Sequence, residues 1–309
     1  MSKRNVGLCI SLIVLAACEG GGDGIAQQQP EPIDITCDST SVLENGACRV
    51  VAERIDARAT TPFTEDGDPV ELEVVLFKPL QGERFPLLVV NHGSTGNGSD
   101  PSRFGDTFTH KPTVLHFVER GWMVAFPQRR GRGQSDGLYD EGFTANRSGY
   151  SCDATTALAG ADRALDDLDA VTDWLRMRSD VDTTRMLVSG SSRGGILSVA
   201  YLARRPEVYR GAINFVGGWL GEGCGDFATV NRTLFVNGAA FPGRSLWIYA
   251  ENDSFYSLAH SQSNFDAFSQ AGGVGDFEVL QRDPGLNGHF IINDADRWAE
   301  AVDTYVASL

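Results

Sequence analysis

Met186-Leu187-Val188-Ser189-Gly190-Ser191-Ser192-Arg193-Gly194-Gly195 is the stretch on which the fold of this chain turns. An apolar run leads directly into a glycine-flanked serine. Ile196, Val199, Ala200 and Ala203 then fall on one face of a helix predicted over 193–205, which Pro206 ends. A strand that turns at once into a helix needs small residues two positions to either side of the turn, and Gly190 and Gly194 supply them. The residue at the apex, Ser192, is then held in a strained backbone conformation with its hydroxyl presented at the strand's carboxyl end. Working outward, Leu87-Leu88-Val89-Val90, Trp122-Met123-Val124-Ala125-Phe126, Ala212-Ile213-Asn214-Phe215-Val216 and Leu246-Trp247-Ile248-Tyr249 are mainly apolar on consecutive positions, so both faces of these strands are covered. Val70 to Val74 alternates, as a half-exposed strand near the sheet's start does, and Phe277 to Leu280 is a last strand. Helical periods lie near 112–120, 160–178, 226–238, 255–271 and 293–307. Strands alternating with helices predict an α/β fold with a mostly parallel central sheet of about eight strands and helices on both faces.

The composition fits this. Of 309 residues, 42% are hydrophobic and 22% charged, which excludes disorder, collagen and coiled coil. A formal charge of −15 repels phosphate backbones, so nucleic acid is not an expected partner.

Lys3 and Arg4 followed by an apolar run to Ala17 read as an export signal over residues 1–17, too short to span a bilayer. Leu15-Ala16-Ala17-Cys18 resembles the lipobox of bacterial lipoproteins, in which cleavage precedes the cysteine and its thiol is acylated. The resemblance implies Cys18 as the lipidation site and the bacterial cell envelope as location, the protein lipid-anchored to a membrane on the periplasmic or outer-membrane side. Residues 18–47 form a linker, rich in Gly, Gln and Pro up to Thr36, plus a small cysteine-closed turn; 48–309 form one catalytic domain. Cys37, Cys48, Cys152 and Cys224 remain, and four thiols allow three pairings. Asn45-Gly46 is a tight-turn signal that favours Cys37 with Cys48, which leaves Cys152 with Cys224. No C-x-x-C pair suggests a metal site. Gly131-Arg132-Gly133-Gln134-Ser135-Asp136-Gly137 has the wrong spacing for a dinucleotide loop and opens no helix, so no cofactor is expected.

A serine hydroxyl needs an imidazole to take its proton. Of five histidines, His289 lies between the final strand and the final helix, where a loop can bring it to the sheet's carboxyl edge. His110, His116 and His260 sit in or beside predicted helices, and His92 belongs to the loop His92-Gly93-Ser94-Thr95-Gly96. A carboxylate must fix the imidazole's tautomer; Asp253, just past Tyr249-Ala250-Glu251-Asn252, is the candidate, with Glu251 and Asp226 as fallbacks. The backbone N–H groups of Arg193 and Ser94 are the expected donors to an oxyanion.

With Ser192, Asp253 and His289 in that order, together with His92-Gly93 and Arg130-Gly131-Arg132-Gly133-Gln134-Ser135, the chain from about 70 to 305 resembles the α/β-hydrolase superfamily. Within it the dienelactone hydrolase-like and prolyl-oligopeptidase-type branches are nearest. The resemblance implies an acyl-enzyme on Ser192. It departs from typical dienelactone hydrolases, which carry Cys at that position, so a lactone specificity does not transfer. It also departs from the oligopeptidases, whose N-terminal propeller has no room in the residues before the sheet.

Arg130 and Arg132, at the end of a central strand in an acidic protein, are candidates to hold an anionic substrate group, and Trp219 with Cys224, Phe227, Leu234 and Phe235 to roof a small apolar pocket. The expected function is exported serine hydrolysis of a small carboxylic ester. A peptidase or amidase is the alternative within this chemistry, and a lipid-anchored binding protein on a hydrolase scaffold the alternative outside it.

Overall fold

The computed structural model describes residues 36–309. The segment expected to be an export signal, Cys18 and most of the expected linker lie outside the described residues. Near the start, β1 (Ser41–Glu44) and β2 (Ala47–Val50) form a hairpin whose turn residues Asn45 and Gly46 both have positive φ, as a two-residue turn of this hand requires. The Cys37–Cys48 disulfide closes it, and Cys37 is buried.

The main sheet has eight strands in the order β10-β9-β8-β7-β5-β6-β4-β3. These are β3 (Ala52–Glu65), β4 (Asp68–Pro79), β5 (Phe85–Asn91), β6 (Met123–Pro127), β7 (Val181–Ser191), β8 (Gly211–Phe215), β9 (Arg244–Ala250) and β10 (Val274–Leu280). The run from β6 through β10 is parallel, while β4 pairs antiparallel with both β6 and β3. Sequence reading located the other seven strands but not β3. The reason is its position: as an edge strand it is largely polar and charged, as in Glu53-Arg54-Ile55-Asp56, and much of its length is exposed. Helices α1 (Lys111–Val118), α2 (Ala154–Arg176), α3 (Arg193–Arg204), α4 (Phe227–Asn237), α5 (Leu258–Gln270) and α6 (Ala295–Ala307) cover the sheet. Asp153 caps α2 by accepting from Thr156 N–H at 2.8 Å, so this helix begins earlier than its apolar period suggests. Among the described residues no helix is long and apolar enough to cross a membrane.

The core runs along both faces of the central strands, where Leu87, Leu88, Val124, Leu187, Ile213 and Ile248 are fully buried. Pairing of Asn91 with Gly190, and of Ser191 with Phe215, aligns the carboxyl ends of β5, β7 and β8. Ligand sites in such sheets form at these ends, where neighbouring connections diverge to opposite sides.

One core histidine carries a pH consequence. His116 on α1 packs 4.8 Å from the Trp298 ring of α6, and burial, with Arg120 adding to it against the pull of Asp303, lowers its pKa to about 4. Its Nε2 is 3.1 Å from Asp303 Oδ1 without hydrogen-bond alignment, so packing governs this ring. The folded ring is neutral, whereas the unfolded chain takes up a proton near pH 6.5. Its contribution is therefore complete above that value and drains as pH falls towards 4. Urea denaturation at pH 7 and pH 5 is expected to show about 2 kcal/mol less loss in His116→Phe than in wild type. Equal losses would remove His116 from the acid response.

Candidate active site

Ser192 sits between β7 and α3 with φ 57° and ψ −123°, a conformation essentially foreign to residues with a side chain. The strain is held by its surroundings: Ser192 N–H donates to Phe215 O at 3.0 Å, and its own carbonyl accepts from Gly195, Ile196 and Gly218 N–H. A Cβ on Gly194 would lie 2.0 Å from Asn91 O, and one on Gly190 would lie 2.4 Å from the Gly194 carbonyl carbon. The sequence thus folds into the elbow because only glycine fits at both flanks.

The candidate acid and base come from the loops after two further strands. Asp253 follows β9; its Oδ1 accepts the N–H groups of Phe255 at 2.7 Å and Tyr256 at 3.1 Å, and its Oδ2 lies 2.9 Å from His289 Nδ1. The Asp253 carboxylate is almost fully buried and the His289 side chain is one-tenth exposed. Asn287, which sequence reading missed, ties the two loops together: Oδ1 accepts from Ser254 and His289 N–H, and Nδ2 donates to Ser254 Oγ. Ser192 and His289 line the same cleft. Among the described residues Ser192 Oγ makes no hydrogen bond to His289, whose ring bonds Asp253, a looseness common before substrate closes a site. The other histidines are engaged elsewhere. Burial, with Arg129 and Arg132 beside it, holds His92 well below the usual imidazole range, and its Nε2 accepts from Arg129 N–H at 3.2 Å. His110 faces Asn293, and His260 lies between Asn231 and Asn264. Of the fallback acids, Asp226 accepts from Ala154 N–H at the start of α2 and Glu251 is exposed.

The loop after β5 closes on the elbow, since a Cβ on Gly93 would come 3.3 Å from Ser192 Cβ. The N–H groups of Ser94 and Arg193 donate to nothing among the described residues. Both residues line the cleft, so two free donors stand beside Ser192.

The cleft measures about 280 Å³ and is walled by Ser94, Tyr150, Arg193, Trp219, Leu220, Phe255 and Tyr256 together with the Cys152–Cys224 disulfide. A larger depression of about 750 Å³ lies where β9 begins, at Arg244, Asp276 and Arg297, and holds none of these groups. Trp219 is thus at the pocket as expected, and so are Cys152 and Cys224. Arg130 and Arg132 are not, which corrects the expectation that they hold substrate. Arg130 is buried with Nε 2.5 Å from Asp167 Oδ1 and its guanidinium stacked on Phe63. Arg132 is buried above the Tyr139 ring, with Nη2 donating to Asp106 O at 3.4 Å. Arg130 turns inward to Asp167 and Phe63 from distant segments, and Arg132 to the Tyr139 ring and the Asp106 carbonyl.

The guanidinium that does reach the cleft belongs to Arg193. It stacks between the rings of Tyr150 at 3.6 Å and Trp219 at 4.3 Å, with Nε donating to Trp219 O and Nη1 to Glu141. Glu141 also bonds Arg129, which in turn donates to His92 O at 3.0 Å and so braces the Ser94 loop. Burial alone pushes the Glu141 carboxyl up, and Arg129 and Arg193 outweigh it, holding it below its usual value. Tyr150 and Glu141 carry no periodicity or motif by which the sequence would single them out.

No curated protein sequence matches this chain significantly. Among solved structures it is similar to an esterase from Pyrococcus furiosus, at 16% identity over 83% of this chain and 90% of that one, with a TM-score of 0.56. It is also similar to a putative dienelactone hydrolase from Klebsiella pneumoniae subsp. pneumoniae, at 17% identity over 83% and 100%, TM-score 0.53. A third likeness is to Porphyromonas gingivalis dipeptidyl peptidase 4, at 15% identity over 82% of this chain but only 36% of that one, TM-score 0.56. These likenesses show the α/β-hydrolase fold. The family model for X-Pro dipeptidyl-peptidase (S15 family) matches residues 66–221, which take in the Ser94 loop, Glu141, Tyr150 and the Ser192 elbow but end before Asp253 and His289. With half of its length so matched, the chain belongs to the X-Pro dipeptidyl-peptidase (S15) family of hydrolases.

Proposed function

We propose that this hydrolase cleaves a small carboxylic ester through an acyl-enzyme on Ser192. The observation that carries the reading is the 2.9 Å contact between Asp253 and His289 beside a strained, cleft-facing Ser192. In this scheme His289 takes the Ser192 proton as the hydroxyl attacks the ester carbonyl. Asp253 holds the ring with Nδ1–H towards itself and stabilises the imidazolium. The tetrahedral oxyanion is received by the free N–H groups of Arg193 and Ser94, the former at the positive end of α3. His289 then protonates the leaving alcohol, and water, deprotonated by the same ring, releases the acid.

Family membership favours a second reading, hydrolysis of an N-terminal Xaa-Pro peptide. A dipeptidyl-peptidase must take up an N-terminal ammonium, which calls for a carboxylate in the pocket. Among the described residues none lines this cleft, and its one charged side chain is Arg193. This supports the ester over the peptide. With purified protein, p-nitrophenyl butyrate is expected to exceed glycyl-prolyl-p-nitroanilide in kcat/KM by at least about 100-fold, a gap of two decades in barrier terms. The reverse order would establish the peptidase reading.

We also propose export and lipid attachment at Cys18 in the bacterial cell envelope. The two disulfides support an oxidising compartment. Metabolic labelling with an alkynyl fatty acid, lost in Cys18→Ser, tests the attachment.

A further inference from the structure

A cluster of buried arginines lies beside the cleft, in a protein of net charge −15. Arg129, Arg132 and Arg193 are all buried, at 2%, 5% and 3% exposure. Among the described residues the acid that pairs with any of them is Glu141, which both Arg129 and Arg193 share. Arg132 belongs to the same cluster, since its charge acts on both Glu141 and His92, and it has no acidic partner there. Three guanidinium groups therefore face one carboxylate. Burying unbalanced charge is costly, and a pocket is where an incoming ion of opposite sign relieves that cost.

Arg193 is the member of the cluster that lines the cleft. Its Nε and Nη1 are occupied by Trp219 and Glu141, while Nη2 has no partner among the described residues and is not sealed from the cleft. Stacking between Tyr150 and Trp219 fixes the plane of the fork, so that donor is pre-oriented rather than recruited from a mobile side chain. It belongs to the residue directly after Ser192, and at about 280 Å³ the cleft is at the small end for ligand pockets.

We propose that Arg193 Nη2 binds a carboxylate of the substrate, so that the compounds hydrolysed are short anionic esters carrying a free carboxylate close to the scissile carbonyl. This rests on the ester reading given above and names its substrate class. The role expected at Arg130 and Arg132 is thereby filled from the helix after the nucleophile.

The test uses pairs of esters that differ by a carboxylate in place of a terminal methyl. Monoethyl succinate against ethyl butyrate places the carboxylate on the acyl side, and acetoxyacetate against ethyl acetate places it on the leaving side, all followed by acid release in a pH-stat. One anionic ester is expected to exceed its neutral partner at least tenfold in kcat/KM, mainly through KM, and to lose that advantage between low and high salt. Arg193→Gln should collapse the anionic-to-neutral ratio by at least tenfold, with Arg193→Lys in between. Neutral esters equal to or better than both anionic ones would overturn the proposal, as would a ratio indifferent to Arg193. Should neither kind be hydrolysed, titration calorimetry on folded Ser192→Ala decides. Monoethyl succinate bound in preference to ethyl butyrate, and lost on adding Arg193→Gln, upholds the anion site while the ester reading fails. Equal binding of the two sinks the anion site itself.

Discussion

Ser192→Ala is expected to lower kcat for the ester by ~10⁶-fold, and His289→Ala by a similar factor, with the double variant no worse than either. The hydroxyl and the imidazole act as one unit: without the ring, Ser192 stays protonated and a weak nucleophile, and without the hydroxyl the ring has no nucleophile to activate. What survives comes from the N–H groups of Arg193 and Ser94, which still receive the oxyanion when water attacks directly. Ser192→Ala keeps the elbow's shape except for the hydroxyl, so circular dichroism and thermal midpoint should stay near wild type. Burst kinetics and labelling by a fluorophosphonate should vanish. Additive losses in the double variant would show that the two groups do not share a step.

The second large effect is at Asp253. Asp253→Asn is expected to cost about 10⁴-fold in kcat with little change in KM, equivalent to ~5 kcal/mol of transition-state stabilisation. The carboxylate is fixed from both sides, by the N–H groups of Phe255 and Tyr256 on Oδ1 and by His289 Nδ1 on Oδ2. An amide there keeps its oxygen on the two backbone donors and turns its NH₂ towards the ring. His289 then presents Nδ1 as an acceptor and Nε2–H towards Ser192, the tautomer that cannot take the proton. The folded geometry survives while the chemistry does not, so the loss should recover partly at high pH, where hydroxide replaces the missing base. Unchanged kcat in Asp253→Asn would mean that the acid is elsewhere, and Glu251 would be the next residue to replace.

Anionic selectivity, if upheld, separates two roles within one residue. The backbone N–H of Arg193 would serve the reacting carbonyl and its side chain the far end of the substrate. Because Glu141 links that side chain to Arg129, and Arg129 holds the His92 carbonyl, the Arg193 fork and the Ser94 loop are braced by one buried carboxylate.

The elbow, the parallel strands and the meeting of Asp253 with His289 were readable from residue order because each follows from a local pattern. Only Gly fits at 190 and 194, continuous apolar runs mark strands covered on both faces, and loops that leave the carboxyl ends of parallel strands open on one edge. The Asn45-Gly46 turn and its disulfide were legible for the same short-range reason. Strand β3 was not, because an exposed edge strand needs little apolar patterning. Nor did the order of residues tell which arginine meets the cleft. Arg130 is claimed by Asp167 from α2, and Arg193 is clamped by Tyr150 and Trp219 from loops on opposite sides of it in sequence. A charged side chain goes to the partners that share its burial, and those partners are set by how distant segments pack, which no local period encodes.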